Sequence, residues 1–186
     1  MYAKARLGPR IEFAAGLEVS GARKNASHRS ARLCSTYQVY AMDIYARFET
    51  ELAVRPDDID LYQHVHSTRY LDYVLAARFD QMERCYGMSM QEFARLGLGW
   101  FMKSATIHYR RPLNMGDRMV VRTWIEHFVE DGVRVGFEID RLPNKKRSCD
   151  GHSDYTLISL ATGRATPLPE EFRQKYSIPA KASGLR

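Results

Sequence analysis

One stretch of this chain carries a sustained helical period, and strand patterns dominate the residues after it. Leu71, Val74, Leu75, Phe79, Met82 and Tyr86 recur at helical spacing, which predicts one long amphipathic helix with those six side chains on its apolar face. Ser67 or Thr68 is placed to cap its start, and Gly87 to stop it. Ahead of it, Ala46, Phe48, Thr50, Leu52 and Val54 alternate with Arg47, Glu49 and Glu51, the mark of a half-buried strand. Behind it comes a short helix over Met88–Leu96, ending at Gly97. Four strand candidates then run over Trp100–Arg111, Asp117–Phe128, Val133–Arg141 and Asp154–Leu160, separated by turn residues such as Asn114, Gly116, Gly132 and Pro143. Pro169–Tyr176 reads as a last short helix with proline just inside its start. One strand, one long helix and then four strands in succession is not a βαβ alternation. The order predicts an α+β fold, an antiparallel sheet wrapped on the helix.

At 186 residues the chain holds one domain with a sizeable core. The net charge of +6 suggests an acidic partner until it is located. Residues 1–41 hold seven Lys or Arg against Glu12 and Glu18, so the patterned remainder, with 21 basic and 20 acidic residues, is nearly neutral. That balance, with no interleaving of aromatic and basic residues, excludes a charge-based argument for nucleic acid. The three cysteines Cys34, Cys85 and Cys149 form no C-x-x-C pair, which fits a reducing compartment and a cytoplasmic location. No apolar run reaches the length of a membrane span. Residues 1–41 read as a disordered or processed extension, or as an over-extended start, since Met42 directly precedes the first patterned strand. An Arg- and Ser-rich, acid-poor segment is also the composition of an organelle transit peptide. The folded domain is expected over 42–178, with a short tail over 179–186.

The chemistry concentrates just before the long helix, where Pro56 to His66 hold three carboxylates and two imidazoles. Free backbone N–H groups and the helix dipole at such a start favour developing negative charge. A carboxylate beside an oxyanion site is what acyl transfer requires. By residue type alone Asp57, Asp58 and Asp60 are solvated loop acids or candidates for that carboxylate, Asp57 and Asp58 reading mostly as surface.

The same residues carry a family resemblance. Asp58-Ile59-Asp60, Gln63-His64-Val65, Tyr70-Leu71 and Ala77-Arg78 resemble the signature of hotdog-fold thioesterases, above all the bacterial long-chain acyl-CoA thioesterases. Those run Asp-X-X-X-His-Val-Asn-Asn-X-X-Tyr into a central helix. Ile107 to Pro112 is similar to the same group, and the likeness spans about residues 45–175. It implies a hotdog fold, a homodimer or homotetramer with active sites at the subunit seam, and hydrolysis of medium- to long-chain acyl-CoA. It also implies that Asp60 is the catalytic acid, as general base for water or as direct nucleophile. His64 matches the histidine of the similar plant acyl-carrier-protein thioesterases, with Tyr62 where they have Asn. It either orients the carboxylate or bonds the loop to the helix. Val65, His66, Ser67 and Tyr70 fall at the oxyanion and substrate corner, with His66-Ser67 standing where relatives have Asn-Asn.

Arg110 and Arg111 are candidates for the coenzyme A phosphates, as are Lys103 and the run Lys145-Lys146-Arg147. The last run reads as an exposed hairpin tip. His64-Val65-His66 with nearby aspartates resembles a metal pair, but no third and fourth ligand stand at a recognised spacing, so neither metal nor cofactor is expected. Three other activities stay open: an acyl-carrier-protein thioesterase, a non-catalytic acyl-binding module, and, less consistent with these motifs, a hotdog dehydratase.

Overall fold

The computed structural model describes residues 45–180; the expectations for residues 1–41 and for the end of the tail lie outside them. Five strands, β1 (Phe48–Ala53), β2 (Leu98–Tyr109), β3 (Arg118–Val129), β4 (Gly132–Arg141) and β5 (Lys146–Ser159), form one antiparallel sheet in the order β1-β3-β4-β5-β2. Helix α1 (Tyr70–Arg84) is followed by α2 (Met90–Arg95), and α3 (Glu170–Tyr176) closes the domain. This is the α+β hotdog arrangement, a sheet curled on one long helix. Tyr45 bridges to Pro179, so both ends of the described chain meet at one edge. Among these residues no helix is long and apolar enough to cross a membrane.

The curl has local causes. Register shifts fall at Met102/Ser104, Ile125/His127 and Ile139/Asp140, and each bulge bends its strand and adds twist. Gly151 on β5 lies so close to β2 that a Cβ there would collide with the Thr106 backbone carbonyl. The last strand begins eight residues before the expected Asp154, because Lys146–Ser153 lacks a clear alternation yet pairs with both β4 and β2.

The helix is turned relative to the expected stripe. Its buried side chains are Tyr70, Tyr73, Val74, Ala77, Arg78, Gln81 and Met82, whereas Leu71 and Leu75 are half-buried and Phe79 is exposed. Two polar residues therefore sit on the inner face, and the sheet matches them. Gln81 Nε2 donates to Thr50 Oγ1 (3.1 Å), and the Thr123 hydroxyl donates to Gln81 Oε1. Hydroxyls from β1 and β3 supply partners that an apolar-stripe argument does not anticipate. This polar layer divides the core. Towards the helix start, Val54, Val65, Tyr70, Leu113, Val121 and Phe137 pack tightly. Towards its end, Met82, Phe93, Ile125, Val135, Phe172 and Tyr176 pack around a second centre. Gly87, at φ +63, terminates the segment in the left-handed conformation that glycine tolerates best.

Candidate active site at the start of the long helix

A cleft of about 340 Å³ opens where the loop before α1 meets the end of β2. Asp60, His64, Val65, His66, Ser67 and Tyr70 line it from the loop and first turn, and Arg110 and Arg111 from the segment after β2. Hydrogen bonds clip the loop to Leu113, more than forty positions further on, and to its own start at Asp58. Val65 N donates to Leu113 O (2.8 Å), His66 N to Asp58 O (2.8 Å), and the Tyr70 hydroxyl accepts from Leu113 N (3.1 Å).

Asp60 is half-buried and its carboxylate is oriented by backbone. Oδ1 accepts from Tyr62 N (2.8 Å) and His64 N (3.2 Å). Asp60 N donates to His64 O (2.8 Å), closing a tight loop in which Gln63 takes φ 64. Among the described residues Oδ2 has no hydrogen-bond partner, so one oxygen is fixed and the other is available. His64 meets Asp60 through its backbone; its exposed ring makes no hydrogen bond within the described residues.

The helix start departs from expectation. Neither Ser67 nor Thr68 caps it. The N-cap of α1 itself, Arg69, makes no side-chain cap bond; His66 instead caps the 3-10 turn Ser67–Arg69 that leads into α1, its Nδ1 accepting from Thr68 N (3.3 Å) and lying 2.9 Å from Thr68 Oγ1. An imidazole nitrogen thus takes the acceptor role that an Asn oxygen would fill. Most amides of this corner are occupied. Val65 N and His66 N are held by the main-chain clips, Thr68 N goes to His66 Nδ1, and Arg69 N to His66 O (2.9 Å). Within Val65–Thr68, Ser67 N alone lacks a partner among the described residues.

Asp58 is not the surface acid the sequence suggests. It is 4% exposed and accepts at Oδ2 from Arg55 Nε (2.7 Å) and the Tyr73 hydroxyl (2.6 Å), with Arg69 Nε 3.5 Å from Oδ1. Burial by itself would raise its pKa, but the bonds from Arg55 and Tyr73 and the charge of Arg69 outweigh it and hold the carboxyl below its ordinary range. An acid with two donors and a nearby cation is a structural clip for the loop that carries Asp60. Asp57 is exposed, as expected.

The arginines differ. Arg110 forms a two-pronged pair with Asp150 (2.8 and 3.0 Å), which lowers the Asp150 carboxyl. Arg111 touches only the Arg147 carbonyl (3.2 Å) and has no acidic partner among the described residues. Tyr109, to which the sequence alone assigns no role, also lines the cleft. It donates to Ser67 O (2.7 Å) and packs edge-on against Tyr70 at 5.2 Å. Its neighbours Ile107 to Pro112 are the available signal, but nothing in their spacing shows that β2 ends against the helix start. Among the described residues no three His, Cys, Asp or Glu side chains converge as a metal site.

A family model described as the thioesterase-like superfamily matches residues 54–176. The long-chain acyl-CoA thioesterase FadM of Escherichia coli (strain K12) is 27% identical over 127 residues, covering 68% of this chain and 95% of that protein. The chloroplastic acyl-acyl carrier protein thioesterase ATL3 of Arabidopsis thaliana is 26% identical over 130 residues, covering 69% of this chain and 66% of its own length. Among solved structures, the probable thioesterase YbaW from Escherichia coli superposes with a TM-score of 0.61 at 26% identity, over 69% of this chain and 96% of that one. The DHNA-CoA thioesterase from Staphylococcus aureus superposes at 0.66 with 18% identity, over 70% of this chain and 89% of that one, a likeness of fold.

Proposed function

The chain belongs to the thioesterase-like superfamily and is a thioester hydrolase, and from that premise we propose that it cleaves medium- to long-chain acyl-CoA at the cleft before α1, with Asp60 as the reacting acid. The observation that carries this reading is the asymmetry of Asp60, whose Oδ1 is held by two backbone amides while Oδ2 has no partner among the described residues. As a general base, Oδ2 takes a proton from water and the hydroxide oxygen bonds to the thioester carbon. As a nucleophile, Oδ2 bonds to that carbon itself, and water later hydrolyses the anhydride. In both routes negative charge develops on the carbonyl oxygen, the C–S bond breaks, and the thiolate leaves as coenzyme A.

Ser67 N, the unclaimed amide of the corner, is the donor we assign to the oxyanion, reinforced by the dipole of the helix start. Tyr109 holds the neighbouring Ser67 carbonyl, His64 closes the loop that aims Asp60, and Tyr70 anchors the helix start against Leu113. Arg111 suits a coenzyme A phosphate better than Arg110, whose guanidinium is shared with Asp150. The active unit on this reading is a homodimer or a homotetramer. Strand β2 supports it, being a sheet edge of 12 residues with Phe101 and Tyr109 half or more exposed, and an edge of that length with no further strand beside it among the described residues calls for a partner.

The test is thiol release from acyl-CoAs of graded chain length by wild type and Asp60→Asn. The asparagine keeps Oδ1 for the two amides and removes only the charge. Turnover is expected to fall by about a hundredfold or more with the unfolding midpoint unchanged. Turnover that survives removes Asp60 from the chemistry. The similarity to an acyl-carrier-protein thioesterase favours one second reading, in which only carrier-linked thioesters are hydrolysed. Release from neither carrier would leave an acyl-binding module.

A further inference from the structure

Beyond the polar layer of the core, α1 and the sheet enclose a second cavity of about 270 Å³. Leu75, Phe79, Met82, Trp100, Ile125 and Val135 give it apolar walls. Two polar groups interrupt them. Arg78 is 7% exposed, and its one hydrogen bond among the described residues is a long one, Nη1 to Thr123 Oγ1 at 3.4 Å. Its guanidinium also lies 5.4 Å from the centre of the Tyr86 ring. No carboxylate of the described residues pairs with it. The hydroxyl of Tyr155, a second lining residue, is buried without a hydrogen-bond partner among the described residues.

A guanidinium carries five donors and keeps its proton under all ordinary conditions. Burying it without a counter-charge is among the costlier arrangements a core can hold. Joining the helix to the sheet does not require it, because Gln81, Thr50 and Thr123 already make that connection with matched partners. A methyl-ended chain filling this space would face the unpaired donors and offer them nothing. An anionic oxygen would satisfy the cation and the free hydroxyl together, and would do so in a dry site where such a pair is strong.

We propose that this cavity receives the far end of an acyl group that terminates in a carboxylate, with Arg78 as its ion-pair partner and the Tyr155 hydroxyl as a second donor. The inference rests on the thioesterase reading and narrows its substrates to ω-carboxyacyl thioesters. Tyr70 and Arg78 are eight positions apart on one helix, about 12 Å of rise, which a chain of medium length spans. Arg78 and Tyr155 act here as specificity determinants, remote from the C–S bond.

The experiment compares kcat/KM for dodecanedioyl-CoA and dodecanoyl-CoA in wild type, Arg78→Met and Arg78→Lys. The wild type should favour the carboxylate-ended chain by about tenfold or more; Arg78→Met should erase or invert that ratio, and Arg78→Lys should keep part of it. A wild type that prefers the methyl-ended chain, or a ratio untouched in Arg78→Met, overturns the proposal. Should Arg78→Met fail to fold, the wild-type ratio and Arg78→Lys still decide. Calorimetric titration with octanoate and octanol separates the two readings. If no thioester is hydrolysed, the proposed function falls, yet tighter binding of octanoate that depends on Arg78 sustains the anion site, and equal binding of both removes it.

Discussion

The cleft and the apolar cavity lie along one helix and treat their polar groups in opposite ways. In the cleft nearly every group is matched. Asp60 Oδ1 has two amides, His66 Nδ1 has Thr68 N, and Asp58 has Arg55 and Tyr73. What remains among the described residues is one carboxylate oxygen, the Ser67 amide, the exposed His64 ring and the charge of Arg111. In the cavity the walls are apolar and the leftover group is a whole buried cation. Matched groups fix positions and so suit a site that must hold reacting atoms in place. An unmatched charge fixes nothing, but it discriminates between occupants. The polar layer of Thr50, Gln81 and Thr123 separates the two regimes.

The sharpest way to break this contrast is to remove a matched group from the cleft side. Asp58→Ala takes the acceptor from a buried tyrosine hydroxyl and from Arg55, and should cost about 2–3 kcal/mol in chemical denaturation. Asp60→Asn should stay within about 0.5 kcal/mol of wild type. Turnover should fall in both, in the first because the loop loses its clip and in the second because the charge is gone. The effect of pH comes from the lowered Asp58 carboxyl. Its contribution to stability is complete above its ordinary value of 3.8 and fades as the pH falls through the lower folded value. Asp58→Asn should therefore lose less stability than wild type on acidification through that range. If Asp58→Ala denatures like wild type, the loop is held by something other than this clip.

A smaller effect should separate the cavity from the cleft. Leu75 is half-buried and lines the cavity on its helix wall, so Leu75→Trp fills space there without touching the Asp60 loop. Dodecanedioyl-CoA should lose about tenfold in kcat/KM, roughly the loss of a few buried methylenes, and short-chain acyl-CoA should be turned over as before. A uniform loss across chain lengths would mean that the two regions are coupled through the helix.

The sequence discloses these regions unevenly, for identifiable reasons. Alternation and turn residues find all five strands, because each reflects a local period or a local backbone conformation, but they miss the first half of β5, where alternation fails. Apolar spacing alone finds Val74 and Met82 on the buried face of α1, and Tyr86 just past its end, but leaves Arg78 and Gln81 off that face; their burial depends on hydroxyls of β1 and β3 that are remote in sequence. Eight of the ten residues that line the cleft are site candidates from the sequence, and the structure does bring them to one place. Asp58 reads as a surface acid because its partner Tyr73 lies a full helical segment later and on the inner face, a relation no loop composition reveals. Tyr109 escapes notice for the same reason, since its partner is a backbone carbonyl across the cleft.

The smallest expected effect concerns the helix start. If His66 Nδ1 is the acceptor for Thr68 N, the position asks for a short-range acceptor and not for an imidazole as such. His66→Asn should then be as stable as wild type, whereas His66→Ala should lose about 1 kcal/mol, the usual cost of an absent cap. Turnover distinguishes this role from a direct part in catalysis. His66→Asn should keep the wild-type rate, since Asn restores the corner around Ser67 N. An equally stable but inactive His66→Asn would instead mean that the ring itself meets the substrate. Equal stability in His66→Ala would mean that Asp58 and the Leu113 clips hold the helix start without a cap, making the cleft more rigid than its individual bonds imply.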